Sequence, residues 1–434
     1  MELTVVELFA GVGGFRVGLN KVTNFDEKSG KAIENGDWKF LWANQWEPST
    51  KSQPAFECYS KRFNESMNSN IDINKVNKES IPNHNLLVGG FPCQDYSVAR
   101  SLSKEMGIEG KKGVLWWDII DVIKAKNTPF ILLENVDRLL KSPAKQRGRD
   151  FAIMLKTLNE LGYIVQWRVI NAGEYSMPQR RRRIFIFASK KSLEYSNKLI
   201  CMNEKEISNY LINDGFFNDI YKVEKDDIKI RKINLNEYSD ILDVSDNYNS
   251  GKFETSGICL DGIVFDFRVQ ENSTKLYPLK NILNISKLYN PKDLSKYTLD
   301  GDKLKKWEYL KGSKRIPRVS SNGNKYIYSE GKMNFPEDLE MPARTMLTSE
   351  GTDNRSSHAI YDKDIDKIRK ITEVEAELIQ MFPPNWTDTG MTSRQRYFMM
   401  GNALVTGIIS KLENKLKTII LNENNTVQLN LFDL

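Results

Sequence analysis

The sequence predicts an α/β protein built on a mainly parallel sheet, joined to a smaller and more irregular second unit. Three observations predict it. Over the first ~190 residues, apolar runs with strand character alternate with amphipathic helical stretches, the rhythm of successive βαβ units. The first run ends in a glycine-rich turn, Phe9-Ala10-Gly11-Val12-Gly13-Gly14-Phe15. After about Ser189 the texture changes, and as far as about Pro342 the chain is rich in Asn, Asp, Lys, Ile and Tyr, with only short irregular strands.

In order, the expected strands are Leu3–Phe9, Trp38–Ala43, Leu86–Gly90, Phe130–Glu134, Ile164–Ile170 and Arg183–Ala188. The expected helices between them are Phe15–Val22, Thr50–Phe63, Val114–Ile123 and Asp150–Leu161. The irregular stretch makes a second unit of roughly 150 residues, an ordinary domain size. Helical periodicity returns at Thr372–Met381 and Thr406–Leu416, and Asn422–Thr426 reads as a polar linker before a short apolar tip.

With 434 residues, 40% of them hydrophobic, the chain can bury a large core. Its net charge of +6 permits a polyanionic partner without requiring one. The start, Met1-Glu2-Leu3-Thr4, lacks the basic region and apolar stretch of a secretory signal, and no apolar run is long enough to span a bilayer. The four cysteines (Cys58, Cys93, Cys201, Cys259) have neither metal-ligand nor disulfide spacing. With two histidines, His84 and His358, neither a zinc site nor a Ser-His-Asp triad is supported. The expected setting is a reducing cytoplasm, without membrane contact.

The segment Gly89-Gly90-Phe91-Pro92-Cys93-Gln94-Asp95-Tyr96-Ser97 places a thiol at the end of the apolar run Leu86-Leu87-Val88. At the lip of a sheet it suits a nucleophile, although a lone free cysteine is as often a small buried hydrophobe. Glu134 ends the run Phe130-Ile131-Leu132-Leu133, where a carboxylate faces the usual ligand crevice. Gln179-Arg180-Arg181-Arg182-Arg183 leads into Ile184-Phe185-Ile186-Phe187. Alone it reads as a basic patch, but alternate residues of a strand share a face, so Arg181 and Arg183 would lie together. The glycines after the first strand let the backbone approach a nucleotide-like ligand, as a plain glycine turn also would. A nicotinamide fingerprint wants a third glycine where Arg16 stands. The stretch Trp38–Trp46 would end a second strand within reach of a ribose, and Asp72-Ile73 would lie beside an adenine.

Taken in sequence, FAGVGGF, GGFPCQ, ENV, QRRRRIF, ARTMLT and GNALV (Gly401–Val405) resemble the ordered motifs of the DNA cytosine-5 methyltransferases of bacterial restriction–modification systems. The resemblance covers residues 1–189 and about 342–416. It implies a Rossmann-like, S-adenosylmethionine-dependent methyltransferase domain made of 1–189 and 343–421, a target recognition domain over 190–342, and a linker and tail peptide over 422–434. It also implies that Cys93 attacks carbon 6 of a cytosine flipped from duplex DNA. Glu134 would hold ring nitrogen 3 and the exocyclic amine, and Arg183 the base carbonyl with Arg181 as companion. Carbon 6 is a poor electrophile until ring charge is neutralised, so a thiolate, a held proton and a nearby cation are the physical need.

The cofactor, S-adenosylmethionine leaving as S-adenosylhomocysteine, would meet Phe9, Ala10, Gly11, Gly13, Asp72, Ile73, Pro92 and Asn402, with no metal. Gln45, followed by Trp46, stands where the family usually places an acid on the ribose hydroxyls. A carboxamide lacks the charge-assisted strength of a carboxylate, and Glu47 is the alternative. A cytosine in a duplex must be extruded, and the loop after Cys93 suits closure over it. In that loop Gly107, Gly110 and Gly113 are candidate hinges. Gln94, Ser97, Arg100, Lys104, Lys111 and Lys112 are candidate DNA contacts. For sequence reading, Thr298 and Leu299, then Lys303, Lys305, Lys306 and Trp307, carry a basic and aromatic mix.

The resemblance further implies a monomer acting on double-stranded DNA, with a cognate restriction endonuclease encoded separately. The tip Gln428-Leu429-Asn430-Leu431-Phe432 resembles the peptide by which bacterial replication proteins dock on the sliding clamp. Two alternatives remain beside this reading. An RNA cytosine-5 methyltransferase shares the fold, but its tRNA-directed branch carries a Cys-Phe-Thr tripeptide absent here. A catalytically silent DNA-binding relative would have lost Cys93, Glu134 or Arg183.

Overall fold

The structure is a computed structural model that describes residues 2–48, 52–63, 68–91, 115–224, 228–270, 275–320 and 322–432, with side chains described as far as 423. Its frame is a ten-stranded sheet in the order β3-β2-β1-β4-β5-β7-β6-β9-β10-β8. The strands are β1 Thr4–Leu8, β2 Lys39–Asn44, β3 Asn68–Ser69, β4 Leu86–Gly90, β5 Phe130–Val136, β6 Tyr163–Asn171, β7 Arg182–Lys190, β8 Arg231–Asn234, β9 Ser256–Leu260 and β10 Ile263–Phe267. From β3 to β5 every pairing is parallel. From β5 onward the pairings are antiparallel.

The parallel half forms where the sequence has continuous apolar runs, because strands covered on both faces need them. Val6 and Leu8 of β1, Leu87 of β4, and Ile131 and Leu133 of β5 face one layer, with helices Leu115–Lys126 and Arg149–Glu160. Val5, Leu86, Val88, Phe130 and Leu132 face the other, with helices Gly14–Leu19 and Thr406–Phe432. Gly18 lets those last two helices touch: a Cβ there would lie 2.5 Å from Cβ of Ile409. The chain runs from β1 to β2 on one side and returns to β4 on the other, so a ligand crevice opens at the carboxyl ends of β1 and β4.

The sheet does not end at the boundary expected near Ser189. Strand β9 pairs with β6 (Val165 opposite Cys259), and β10 and β8 follow it. Beyond them stands a smaller unit whose core is Leu299, Trp307 and Ala359, with Leu304, Phe335 and Ile368 against it, drawing on both sides of Pro342. It carries the hairpin of β11 Lys314–Val319 and β12 Lys325–Glu330, and the ribbon of β13 Ala359–Asp362 and β14 Lys367–Lys370. At the carboxyl end the expected polar linker is absent. The helix from Thr406 continues through Asn422–Thr426 to Phe432.

Candidate active site

The turn after β1 is held open by left-handed backbone at Phe9 (φ 54°), Gly11 (φ 56°) and Gly13 (φ 89°). Gly13 admits no side chain, since a Cβ would lie 2.6 Å from the Phe63 ring. At Gly11 a Cβ would meet no atom within 4 Å, so the turn faces open space on its crevice side. Gln45 braces that turn: its Oε1 accepts the Gly11 N–H at 2.8 Å, leaving Nε2 without a partner among the described residues. Trp46 next to it is exposed, and half-buried Glu47 has its carboxyl pushed up by burial with no hydrogen bond among the described residues.

Asp72 caps the short turn Ile73–Lys75 by accepting the Asn74 N–H at 3.1 Å, and Ile73 packs into the core beside Val6 and Leu87. Asn402 ends the helix Ser393–Asn402, which the sequence reading did not anticipate, and its side chain is exposed. Leu404, just beyond, packs over the glycine turn, 3.1 Å from where a Cβ of Gly14 would lie. Leu404 thus brings the end of that helix against the glycine turn that Gln45 braces.

Strands β4, β5 and β7 build the second half of the site. Gly90 pairs with Glu134, and Glu134 with Phe185. Arg183 places Nε 2.9 Å from Oε1 of Glu134, both side chains only slightly exposed. Burial pushes the Glu134 carboxyl above the ordinary carboxylate range, against the pull of Arg183 and Arg181. A Cβ at Gly90 would stand 3.3 Å from Oε2 of Glu134, close enough that the carboxyl would have to shift. Asn135 donates Nδ2 to the Phe91 carbonyl at 2.9 Å, fixing the chain two residues before Cys93. Pro92, Cys93, Gln94, Ser97, Arg100 and the glycine hinges lie outside the described residues. Of the other cysteines, Cys58 and Cys259 are buried, with thiols pushed up to about 12 by that burial.

Arg181 lies deeper than Arg183, within electrostatic reach of both Arg183 and Glu134. Strand β7 begins only at Arg182, and Arg181 lies buried before it. Its guanidinium donates to the Met346 and Gly401 carbonyls, each at 2.9 Å, and burial together with the repulsion of Arg183 lowers it to about 9. Leu299, expected at DNA, is buried against Trp307, and the Thr298 hydroxyl donates to the Ser295 carbonyl at 2.8 Å. Trp307 is fully buried and donates Nε1 to Asp353 at 3.1 Å, so the aromatic part of that stretch is core and not groove surface. Gln179 and Thr345 lie inside the quoted motifs QRRRRIF and ARTMLT, but their roles were not read: the Gln179 Oε1 accepts the Met346 N–H at 2.9 Å, and Thr345 donates to the Arg180 carbonyl at 2.6 Å. The motifs mark both residues without saying that they bind each other's segment, because the partners are distant in the chain.

A family model of C-5 cytosine-specific DNA methylases matches residues 3–418. The chain belongs to this family. It is 47% identical over 421 residues to the Type II methyltransferase M.Sau3AI of Staphylococcus aureus, a match spanning 96% of each chain. To the Type II methyltransferase M.NgoBI of Neisseria gonorrhoeae it is 34% identical over 183 residues, 42% of this chain and 49% of that one. Among solved structures it is similar in fold to the Dnmt2 methyltransferase of S. pombe, with a TM-score of 0.56 at 14% identity over 97% of this chain and 99% of the other.

This cytosine-specific DNA methylase is therefore a DNA (cytosine-5) methyltransferase of the restriction–modification kind, and family and fold imply S-adenosylmethionine as its methyl source. The RNA reading has less support: the likeness to Dnmt2 is one of fold alone. Among the described residues no helix is long and apolar enough to cross a membrane.

Proposed function

We propose that the methylase acts through Cys93, Glu134 and Arg183 on a cytosine turned out of duplex DNA. The observation that carries this is the Glu134–Arg183 pair at 2.9 Å, set beside Gly90 at the end of the strand that leads into Cys93. Glu134, with its carboxyl raised by burial, is suited to keep a proton at ring nitrogen 3. Arg183 supplies positive charge for the base carbonyl, so electron density drawn into the ring is stabilised as the Cys93 thiolate bonds to carbon 6. That density makes carbon 5 the nucleophile. Bound S-adenosylmethionine supplies the methyl group. Departure of the carbon 5 proton and then of the cysteine restores the aromatic ring and the free thiolate. Arg181, tied to two backbone carbonyls, acts as a positioning residue that fixes the return segment behind Arg183.

For the cofactor, the open side of Gly11 suits close backbone contact with Phe9, Ala10 and Gly13, and Pro92 is assigned to the cofactor by family position. Gln45 offers Nε2 to a ribose hydroxyl while its Oε1 holds the loop, and Glu47 is the second candidate for that contact. Trp46, Asp72, Ile73 and Asn402 complete the set. Gln94, Ser97 and Arg100 are assigned to DNA by family position. The recognition unit, expected over 190–342, would be built around the small core of Leu299, Trp307 and Ala359 outside the large sheet. A monomer, a separately encoded nuclease and a cytoplasmic setting fit the Type II relatives. Clamp docking through Gln428–Phe432 would require the end of the last helix to unwind.

Methylome sequencing of DNA from cells expressing the protein tests this reading, with Cys93→Ala as control. The expected result is new 5-methylcytosine in one short motif, absent from the control. Methylation that persists in the control removes Cys93 from the mechanism.

A further inference from the structure

The hairpin β11–β12 stands apart from the large sheet as its own two-stranded ribbon. Residues directly opposite each other share a face, and the faces alternate along each strand. On one face Lys314, Ile316 and Arg318 oppose Glu330, Tyr328 and Tyr326. That face is internally committed: Lys314 reaches the Leu310 carbonyl at 3.2 Å and Glu330 at 3.3 Å, and Arg318 stacks 3.9 Å from the centre of the Tyr328 ring.

The other face is different. There Arg315 opposes Ser329, Pro317 opposes Ile327, and Val319 opposes Lys325, all six exposed. Neither the Arg315 nor the Lys325 side chain has an ion pair or hydrogen bond among the described residues. Val319 and Ile327 expose 64% and 59% of their surface, an unusual burden for an edge ribbon unless a partner covers it.

We propose that this face is the DNA-reading ribbon of the methylase, lying in the major groove with Arg315 and Ser329 on base edges, Ile327 against a thymine methyl, and Lys325 on phosphate. The proposal rests on the DNA methyltransferase reading. A major groove admits a two-stranded ribbon, and six residues per strand span roughly 20 Å, enough to cross it. Both cations on the face match a polyanion and are left uncompensated within the protein. The fork of Arg315 fits the two acceptors of a guanine edge, and an apolar branch fits the thymine methyl.

An isolated hairpin is floppy, so a reading ribbon needs a rigid base. Arg355 provides one, donating to the Leu310 and Gly312 carbonyls at 2.5 and 2.9 Å and to the Gly331 carbonyl. Arg355 belongs to the loop that begins at Thr345 and Met346, the residues bonded to Arg180, Arg181 and Gln179. The ribbon is thereby referenced to the strand that carries Arg183. A base contacted by Arg315 would sit at a fixed offset from the flipped cytosine.

The test compares wild type with Arg315→Lys, Arg315→Ala and Lys325→Ala for methylation pattern, binding of a target duplex at several salt concentrations, and cofactor binding as the check of folding. Arg315→Lys keeps the charge and removes the fork, so we expect methylation to spread to sites altered at one base pair. Affinity for the target duplex should fall on the order of tenfold to a hundredfold. Lys325→Ala should weaken target and non-target duplexes alike and reduce the salt slope by about one. The proposal is overturned if Arg315→Lys keeps the wild-type pattern and Arg315→Ala merely weakens all duplexes equally, since Arg315 would then touch only phosphate. Wild type that methylates no duplex at all would count against the methyltransferase reading itself and not against the ribbon.

Discussion

Asn135 donates Nδ2 to the backbone carbonyl of Phe91 at 2.9 Å, tying the strand that ends in Glu134 to the chain two residues before Cys93. The Asn135 side chain is buried, so the bond is protected from water and holds two elements of the site in one register. Asn135→Ala removes the donor and leaves the Phe91 carbonyl unpaired, at a cost of about 1–3 kcal/mol. The larger expected effect is kinetic. Methyl transfer in a single turnover should slow by roughly tenfold to a hundredfold, because a small displacement of the thiol spoils the attack geometry. Equal single-turnover rates for the variant and wild type would show that Phe91 is held by other means.

Gly90 and Glu134 form a second closely spaced pair. An alanine at 90 sets its methyl 3.3 Å from Oε2 of Glu134, too close for the carboxyl to stay where it is. Gly90→Ala is expected to preserve DNA binding and thermal stability within about 1 kcal/mol while lowering kcat at least tenfold. Loss of cofactor binding in parallel would instead point to collapse of the crevice.

The two arginines predict opposite phenotypes. Arg181 is buried and holds the Met346 and Gly401 carbonyls, so Arg181→Ala should destabilise by about 2–4 kcal/mol, read by chemical denaturation. Arg183 lies at the crevice with Glu134, whose carboxyl is already raised by burial and can take up a proton when its partner is gone, so removal of Arg183 should destabilise less than loss of Arg181. Its expected cost is a fall in single-turnover rate of about a hundredfold or more, as for a lost donor at developing charge. If Arg181→Ala unfolds no more readily than Arg183→Ala, the division between clamp and site is wrong.

That division also marks where the sequence stops being readable. Strict alternation put Arg181 on the face of Arg183, but alternation holds only inside a strand, and β7 starts one residue later. The partners that decide its role, Met346 and Gly401, are distant in the chain. The parallel strands were legible because burial on both faces forces unbroken apolar runs such as Leu86-Leu87-Val88. Strands β9 and β10 were not. Ser256–Leu260 and Ile263–Phe267 are short, and only their pairing with β6 makes them part of the main sheet. Likewise Leu299 and Trp307, read as groove surface from their basic neighbours, are the core of a small unit whose other half comes from Ala359 and Ile368. The pair Glu134 and Arg183 was legible, because each sits at the end of an apolar run and strand ends converge on the crevice.

Glu7 gives a prediction in pH. It lies fully buried at the root of the glycine turn, with Oε2 accepting the Tyr59 hydroxyl at 2.9 Å and Oε1 without a hydrogen bond among the described residues. Burial pushes its carboxyl up to about 8, although Tyr59, Arg16 and the nearby backbone pull the other way. The folded state thus holds this proton more tightly than the unfolded chain, whose carboxyl titrates near 4.5. The stabilisation is complete below pH 4.5 and is lost as pH rises towards 8, above which both states are ionised. Glu7→Gln keeps the shape and cannot ionise, so the variant should escape that loss. Its unfolding free energy relative to wild type should rise from near zero at pH 4.5 by roughly 4 kcal/mol at pH 8.5. Chemical denaturation of both proteins at the two pH values isolates this residue, because every other titrating group is common to them. A difference that stays flat with pH would mean that Glu7 is already ionised in the folded protein at pH 4.5, held by Arg16 and the turn of helix above it.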